Sequence, residues 1–439
     1  MSNQVLNKIW DSSTLPATWF KRQVQNYQLD SELEKRIKEI LENVTRNGDR
    51  ALIELTEKFD NIKLSQEELR VSTKEIKKAY TQVNKKQITA LKIMKDKVNA
   101  FESLLFNREK ITTSINNIKI TNFLTPIKSV GCYVPGGQAS YPSTLIMTVV
   151  PAKVAGVSRI VVCSPPNRDK SINPLVLVAA DICGVTEIYK VGGAQAIGAL
   201  AYGTKTIKSV KKIVGPGNKY ITMAKILSSR DVAIDMPAGP SEVLIVADES
   251  ANPKFIALDM ISQAEHGCDS SVGLITTSKN LGIEVLNWLS KLLPTIDRSC
   301  LVLESLRNYG FIITCDTIDK AVELTNIFAP EHLEIITKDS SEIAVRFNTS
   351  GIILVGPFSP VALSDYGSGT NHVLPTGGYG HVFSGLSSLD FARRVSVVEG
   401  SKKGLVQLNS QLKVMTQAED LPNHYMAIKA RIESGNNIE

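Results

Sequence analysis

Five histidines in 439 residues make each position worth placing, because imidazole is the side chain that most readily moves a proton or binds a metal near neutral pH. Four of the five stand among carboxylates, amides or turn residues. Gln263-Ala264-Glu265-His266 closes an apolar helical pattern at Ile256, Leu258 and Ile261; the i, i+3 spacing puts an amide oxygen and an imidazole on one helix face, where both could meet one ion. Taken alone, that spacing fits a helix-end polar pair better than a metal site. In Ala329-Pro330-Glu331-His332-Leu333-Glu334 the proline ends a helix and leaves an acid and a base side by side where a strand begins, an arrangement suited to general acid–base work. A turn carboxylate beside a surface histidine fits equally well. The loop Ser364 to Thr376 packs Asp365, three residues of glycine-serine turn and His372 together, with Asp365 a candidate metal ligand and His372 a candidate ligand contact; an Ω-loop with no ligand stays open. Glu419 to His424 reads locally as acidic chemistry at the start of the last helix. His381 has no such company.

Three glycine-rich turns point to a different chemistry. Tyr133-Val134-Pro135-Gly136-Gly137-Gln138, Gly192-Gly193-Ala194-Gln195-Ala196 and Gly215-Pro216-Gly217-Asn218 each follow an apolar run that reads as a strand. None is a G-x-G-x-x-G or Walker loop. Any one could be a tight turn, but three at the carboxyl ends of one predicted sheet favour a nucleotide crevice, since open α/β sheets bind ligands there.

The elements that must hold these residues follow from periodicity. Ser31-Glu32-Leu33-Glu34 has capping-box spacing, and Leu33, Ile37, Ile40, Leu41 and Val44 line one helical face. Asn47-Gly48-Asp49 breaks that helix, a second continues through Phe59, and a long charged helix is expected from Lys74 to about Phe106. Alternation around Asn116-Asn117 predicts a hairpin. Beyond it, apolar runs at 129–134, 158–163, 185–191 and 210–214, then at 242–247, 271–277, 310–315, 333–336 and 351–355, alternate with helical segments, the pattern of parallel βαβ units. Residues 356–385 hold seven glycines and three prolines, a loop density that favours function. A short terminal helix is expected around Leu421 to Ile432.

Composition narrows the class. With 43% apolar and 21% charged residues the chain is globular and long enough for several domains. A net charge of +6, from 50 basic and 44 acidic residues, with few aromatics among Lys205, Lys208, Lys211, Lys212 and Lys219, gives nucleic-acid binding little support. Six cysteines without C-x-x-C spacing, no secretory start and no apolar run long enough to span a bilayer predict a reduced cytoplasmic protein with no membrane partner.

These segments, in this order, resemble the histidinol dehydrogenase family from about Thr125 to His424. The most specific stretches are Tyr133-Val-Pro-Gly-Gly, Val191-Gly-Gly-Ala-Gln-Ala-Ile, Val214-Gly-Pro-Gly-Asn, Ile234-Asp-Met-Pro-Ala-Gly-Pro-Ser-Glu-Val-Leu, Ser262-Gln-Ala-Glu-His, Ala329-Pro-Glu-His-Leu-Glu and Ser368-Gly-Thr-Asn-His-Val-Leu-Pro-Thr. With the strand pattern, the expected fold is α/β: two tandem Rossmann-like domains with open, mostly parallel sheets, an N-terminal helical region and a C-terminal extension. The expected divisions are 1–128 for the helical region and hairpin, 129–236 for an NAD-binding domain, 237–381 for a zinc and catalytic domain, and 382–439 for a dimerisation extension.

The resemblance implies oxidation of L-histidinol through L-histidinal to L-histidine, with two NAD used in succession and one zinc ion per subunit. It implies Gln263, His266, Asp365 and His424 as zinc ligands, which also touch substrate, and His332 and Glu331 as base and water-activating acid. Ser241, His372 and Glu419 would contact substrate, and Tyr133, Gln195 and Asn218 the dinucleotide. It also implies a homodimer in which His424 completes the partner's site. Three alternatives make different predictions: a relative that oxidises another small polyol or alcohol with the same zinc and NAD apparatus, a zinc hydrolase that uses Glu331 without a dinucleotide, and a non-catalytic anion or nucleic-acid binder resting on the lysine patch.

Overall fold

The computed structural model describes residues 5–16, 19, 30–107, 111–136 and 140–434. They divide into two units, one of Met1–Ser103 and Ile127–Phe391 and one of Leu104–Pro126 and Ala392–Glu439.

The first unit opens with strand β1 (Lys8–Asp11) and the helices Ser31–Asn47, Asp49–Asp60 and Thr73–Gln82. The first of these helices is capped one residue earlier than its spacing suggests: Asp30, not Ser31, accepts the Leu33 N–H at 2.9 Å. The reciprocal box forms instead at Ser72 and Glu75. The long helix expected from Lys74 is broken after Gln82, and Lys85–Asn107 begins afresh where Asn84 and Gln87 exchange side-chain-to-backbone bonds of 2.9 and 3.0 Å. Helical periodicity survives such a break, so the pattern alone does not reveal it.

Numbering the strands along the chain, β2 (Ile111–Ile115) and β3 (Ile118–Pro126) belong to the second unit. A five-stranded parallel sheet then follows from β4 (Ser129–Tyr133), β5 (Arg159–Ser164), β6 (Glu187–Lys190), β7 (Lys212–Val214) and β8 (Ala233–Ile234), in the order β6-β5-β4-β7-β8. A six-stranded parallel sheet is built from β9 (Glu242–Ala247), β10 (Ser271–Thr276), β11 (Gly310–Thr314), β12 (His332–Ile336) and β13 (Ile352–Val355), in the order β1-β11-β10-β9-β12-β13. Setting aside the edge strand β1, each sheet has the doubly wound order 3-2-1-4-5, with the reversal between β4 and β7 in one and between β9 and β12 in the other. The edge strand was not legible in the sequence, since four residues with half-exposed burial carry almost no periodic signal.

The apolar runs are continuous because both faces of these strands are covered. Val243, Ile245, Val272, Leu274 and Ile312 pack under the helices Pro253–Ala264, Lys279–Leu292 and Ser299–Tyr309, while Leu244, Val246, Ile275, Leu333 and Ile335 face Ile318–Phe328 on the other side. In the five-stranded sheet Val161, Cys163 and Ile213 share a core with Ile197 and Leu200 and with Ile37, Leu41 and Val44 of the N-terminal helix. Each such buried aliphatic side chain contributes about 1.5–3 kcal/mol.

The second unit joins β2 and β3 to β14 (Ala392–Gly400) in an antiparallel sheet, with the helices Lys402–Ala418 and Pro422–Glu433 after it. Asn116 and Asn117 at the hairpin turn take φ of 52° and 60°, the left-handed pair that a type I′ turn needs. Among the described residues no helix is long and apolar enough to cross a membrane, and all six cysteines are unpaired.

Candidate active site

Apart from His381, Glu419 and His424, the residues singled out by chemistry fall at two places in the first unit. At the five-stranded sheet, Tyr133 ends β4, Gly192 and Gly193 follow β6, and Gly215 follows β7, so the three turns do gather at the carboxyl edge. Gly137 and Gln138, at the far end of the first turn, lie outside the described residues. Gly215 has φ of 118°, and a Cβ there would stand 2.2 Å from the Tyr133 carbonyl oxygen, so only glycine lets the turn after β7 lie against the end of β4. A buried ion pair holds the backbone of Gly215 through both its N–H and its carbonyl. Asp235 accepts the Gly215 N–H at 2.8 Å, the Lys225 ammonium donates to the Gly215 carbonyl at 2.9 Å, and the two charges pair with one another.

Around that turn stand the three expected dinucleotide contacts. The Tyr133 hydroxyl accepts the Gly193 N–H at 3.3 Å, and burial raises this phenol's pKa far above the ordinary tyrosine value. Gln195, in the first turn of the helix Gly193–Tyr202, is 1% exposed, and neither its amide oxygen nor its nitrogen has a partner among the described residues. An unsatisfied buried amide is costly, so a ligand that supplies both a donor and an acceptor suits this position. Asn218 is the N-cap of Lys219–Ser228: its side-chain oxygen accepts the Tyr220 and Ile221 N–H groups at 3.1 and 3.3 Å, which leaves its amide nitrogen as the group that can reach outward.

At the six-stranded sheet the convergence is at the opposite edge, where β9, β12 and β13 begin. His332 is the first residue of β12 and is buried. Its Nδ1 lies 3.0 Å from the Glu242 carbonyl oxygen; a carbonyl only accepts, so Nδ1 carries a proton and Nε2 is the nitrogen that takes up and gives up the second one. That Nε2 is buried without a hydrogen-bond partner and points towards Asp365, 3.8 Å from its Oδ1. Glu331 accepts the Glu242 N–H at 2.8 Å through Oε2, which also stands 3.4 Å from His332 Nδ1. The first residue of β9 thus fixes acid and base through its own peptide. Ser241 immediately precedes it, half-buried at the same edge.

Asp365 lies in the short helix Val361–Tyr366, buried, with Oδ1 also 3.7 Å from His372 Nδ1. Burial alone would raise this carboxyl's pKa; His332, His372 and His266 together hold it below the ordinary value. Burial pulls the His332 imidazole down, yet the Glu331 and Asp365 carboxylates outweigh it and hold the imidazolium well above its usual range. His372 goes the other way: burial and the neighbouring His332 win over Asp365 and lower it. Its loop is tied down by Asn371, which donates to the Met147 carbonyl at 2.8 Å and accepts the Val373 N–H at 2.9 Å.

Gln263 is 1% exposed in the last turn of Pro253–Ala264, with its amide nitrogen unpartnered. His266, just past the helix end, is exposed and lines a cleft of about 540 Å³ with Tyr141, Arg298, Glu265 and Tyr366. Among the described residues no three His, Cys, Asp or Glu side chains cluster as a metal site. Gln263, His266 and Asp365 nevertheless offer an amide, an imidazole and a carboxylate whose polar atoms are not spent on one another, a donor set that fits zinc.

Glu419 and His424 lie in the second unit, both exposed. The structure corrects the local reading of this segment: Glu419 is the C-cap of Lys402–Ala418, Asp420 takes a left-handed φ of 53°, and no acid stands in the first turn of Pro422–Glu433. His381 sits in a turn, 3.3 Å from the Ile327 carbonyl oxygen. Sequence reasoning missed Glu242, Lys225 and Asp235 as supports of the site, although Asp235 and Glu242 stand within the matched stretch Ile234 to Leu244; a backbone carbonyl or a buried lysine leaves no spacing signature of its own.

Comparison with known proteins agrees with this geometry. The family model described as histidinol dehydrogenase matches residues 23–432. A histidinol dehydrogenase of Clostridium acetobutylicum is 46% identical over 92% of this chain and 93% of its own length, and one of Methanococcus maripaludis is 44% identical over 90% and 92%. The crystal structure of histidinol dehydrogenase from Elizabethkingia anophelis superposes with a TM-score of 0.92 at 35% identity, covering 99% of both chains. The chain belongs to the histidinol dehydrogenase family, oxidoreductases that catalyse the final steps of histidine biosynthesis.

Proposed function

We propose that this chain oxidises L-histidinol through L-histidinal to L-histidine in the cytoplasm, with NAD as the acceptor in both steps and one zinc ion per subunit. The observation that carries the reading is His332: the Glu242 carbonyl fixes Nδ1 as a donor, so proton exchange falls to Nε2, which is buried and points towards Asp365. A base so oriented removes the alcohol proton in the first oxidation and a hydrate proton in the second. Between them, Glu331 polarises the water that adds to the aldehyde, through the oxygen not held by the Glu242 N–H. Without that addition, loss of the aldehyde hydrogen as hydride would leave an acylium ion, whereas the hydrate gives up a proton and a hydride and becomes the acid.

Gln263, His266 and Asp365, with His424 of the partner subunit, would hold the zinc ion. When bound, zinc would anchor the amino and imidazole nitrogens of the substrate and orient its carbinol carbon. His372, Ser241 and Glu419 would contact the substrate, Glu419 from the C-terminal segment. Tyr133, Gln195 and Asn218 would hold NAD, which accepts one hydride in each oxidation. On this reading 129–236 binds the dinucleotide, 237–381 carries the metal and the chemistry, and 382–439 joins a homodimer.

Counting NADH formed per histidinol consumed tests the reaction. Two per substrate is expected; one would end it at the aldehyde, and none would favour a hydrolase. Mixing inactive His266→Ala and His424→Ala subunits should restore activity through heterodimers with one intact site, and heterodimers that stay inactive would remove the shared site.

A further inference from the structure

Behind the catalytic edge the structure holds a pair of acids that the mechanism does not use. Glu334 stands two residues after His332 on β12 and is 1% exposed. Strand alternation gives it the same face as His332, towards the helix Pro253–Ala264. Its Oε1 accepts the N–H of Val361, the first residue of the helix that carries Asp365, at 2.9 Å. Its Oε2 is buried and has no donor among the described residues. A second carboxyl, Asp259, lies within hydrogen-bonding reach of the Glu334 carboxyl, one helical turn before Gln263 and on the same helix face.

Two ionised carboxylates cannot bond to each other, since both only accept. A single proton between them turns repulsion into a short O–H···O⁻ bond, among the strongest and most directional that side chains make. We propose that Asp259 and Glu334 share one proton and thereby fasten the helix bearing Gln263, the strand bearing His332 and the helix bearing Asp365 to one another, acting as positioning residues for the site. The charges facing the pair agree with this. Burial pushes the Asp259 carboxyl up to about 6. Burial and repulsion from Asp259 push Glu334 well above the carboxylate range, against the opposing pull of the Val361 N–H and of His332. The three fastened residues sit on three separate elements, and the shared proton would add the tie between the helix bearing Gln263 and the strand bearing His332, to which the Val361 N–H already joins the helix bearing Asp365.

The inference rests on the assignment of the site given above, and its test has an arm that does not. In the holoenzyme at neutral pH, the infrared carbonyl stretch of a protonated carboxyl is expected in the wild type and should vanish in both Asp259→Asn and Glu334→Gln. Each amide variant keeps a donor and an acceptor between the two positions, so Glu334→Gln should retain turnover within about threefold, whereas Glu334→Ala should lower kcat about tenfold or more through misplaced ligands and base. No protonated band in the wild type, a band that survives both amide substitutions, or full turnover in Glu334→Ala would each overturn the proposal. Should Glu334→Ala not fold, the infrared comparison decides alone. Full turnover in His332→Asn would instead sink the site assignment and leave the infrared result standing.

Discussion

The two parallel sheets of the first unit share one strand order and use opposite ends of it. In the five-stranded sheet the candidate groups lie where strands end: Tyr133 closes β4, and the turns after β6 and β7 lead into the helices beginning at Gly193 and Lys219. In the six-stranded sheet they lie where strands begin, at Glu242, His332 and Ile352, and beside the closing ends of Pro253–Ala264 and Ile318–Phe328. Both sites straddle the strands at the reversal of order. The difference is electrostatic. A strand's carboxyl end meets helix N-termini, whose free N–H groups favour the phosphates of a dinucleotide. A strand's amino end meets helix C-termini, whose carbonyls favour a metal cation or an imidazolium. One topology, duplicated, thus presents helix N-termini at one furnished edge and helix C-termini at the other, which is the electrostatic ground for the proposed dinucleotide and zinc sites.

The buried supports differ in the same sense. At the carboxyl edge of the five-stranded sheet, Lys225 and Asp235 pair with each other while holding the carbonyl and the N–H of Gly215. At the amino edge of the six-stranded sheet, the supports are acids, the buried Glu334 and half-buried Asp259, together with the backbone of Glu242.

If the two edges are chemically separate, damage to one should spare the other. Stripping zinc with a chelator should abolish turnover and leave NAD affinity unchanged, read by turnover and by dinucleotide titration; a loss of NAD affinity would merge the two sites. His332→Asn should lower kcat about 10³-fold, as expected for removal of a general base, with zinc content intact by metal analysis. Loss of zinc instead would make His332 a ligand. Lys225→Met leaves Asp235 as an uncompensated buried charge and should cost about 3–5 kcal/mol in urea unfolding, with a raised KM for NAD in the surviving enzyme; an unchanged KM would detach the ion pair from the cofactor turn. Glu331→Gln should slow aldehyde oxidation more than alcohol oxidation, measured with each substrate separately, and equal loss in both would remove its role towards water. Asn218→Ala should have the smallest effect, about 1 kcal/mol of stability from the lost helix cap, and an unaltered KM for NAD would leave Asn218 with the cap alone.

Much of this was legible from residue order. The turn at Asn116-Asn117, the break at Gly48, nine of the eleven strands of the two parallel sheets (all but β1 and the two-residue β8) and the chemistry-bearing segments around Glu331, Asp365 and Gly215 carry local signals: alternation, positive-φ residues, apolar runs bounded by turns. What stayed hidden has no such signal. The break after Gln82 keeps helical phase on both sides, the edge strand β1 is too short to alternate, and the cap at Asp30 competes with an equally good serine next to it.

The sequence by itself determined which residue types are present to bind, ionise and turn, and the order in which two βαβ arrays present them, because periodicity and turn chemistry are properties of neighbours along the chain. Only the tertiary structure decided that Glu331, His332, Asp365 and His372 meet, that the Glu242 carbonyl makes Nδ1 of His332 a donor, and that the candidate residues of the two sheets gather at opposite edges. Those are facts about backbone carbonyls, buried charges and strand ends brought together across tens to hundreds of residues, and no local pattern encodes them.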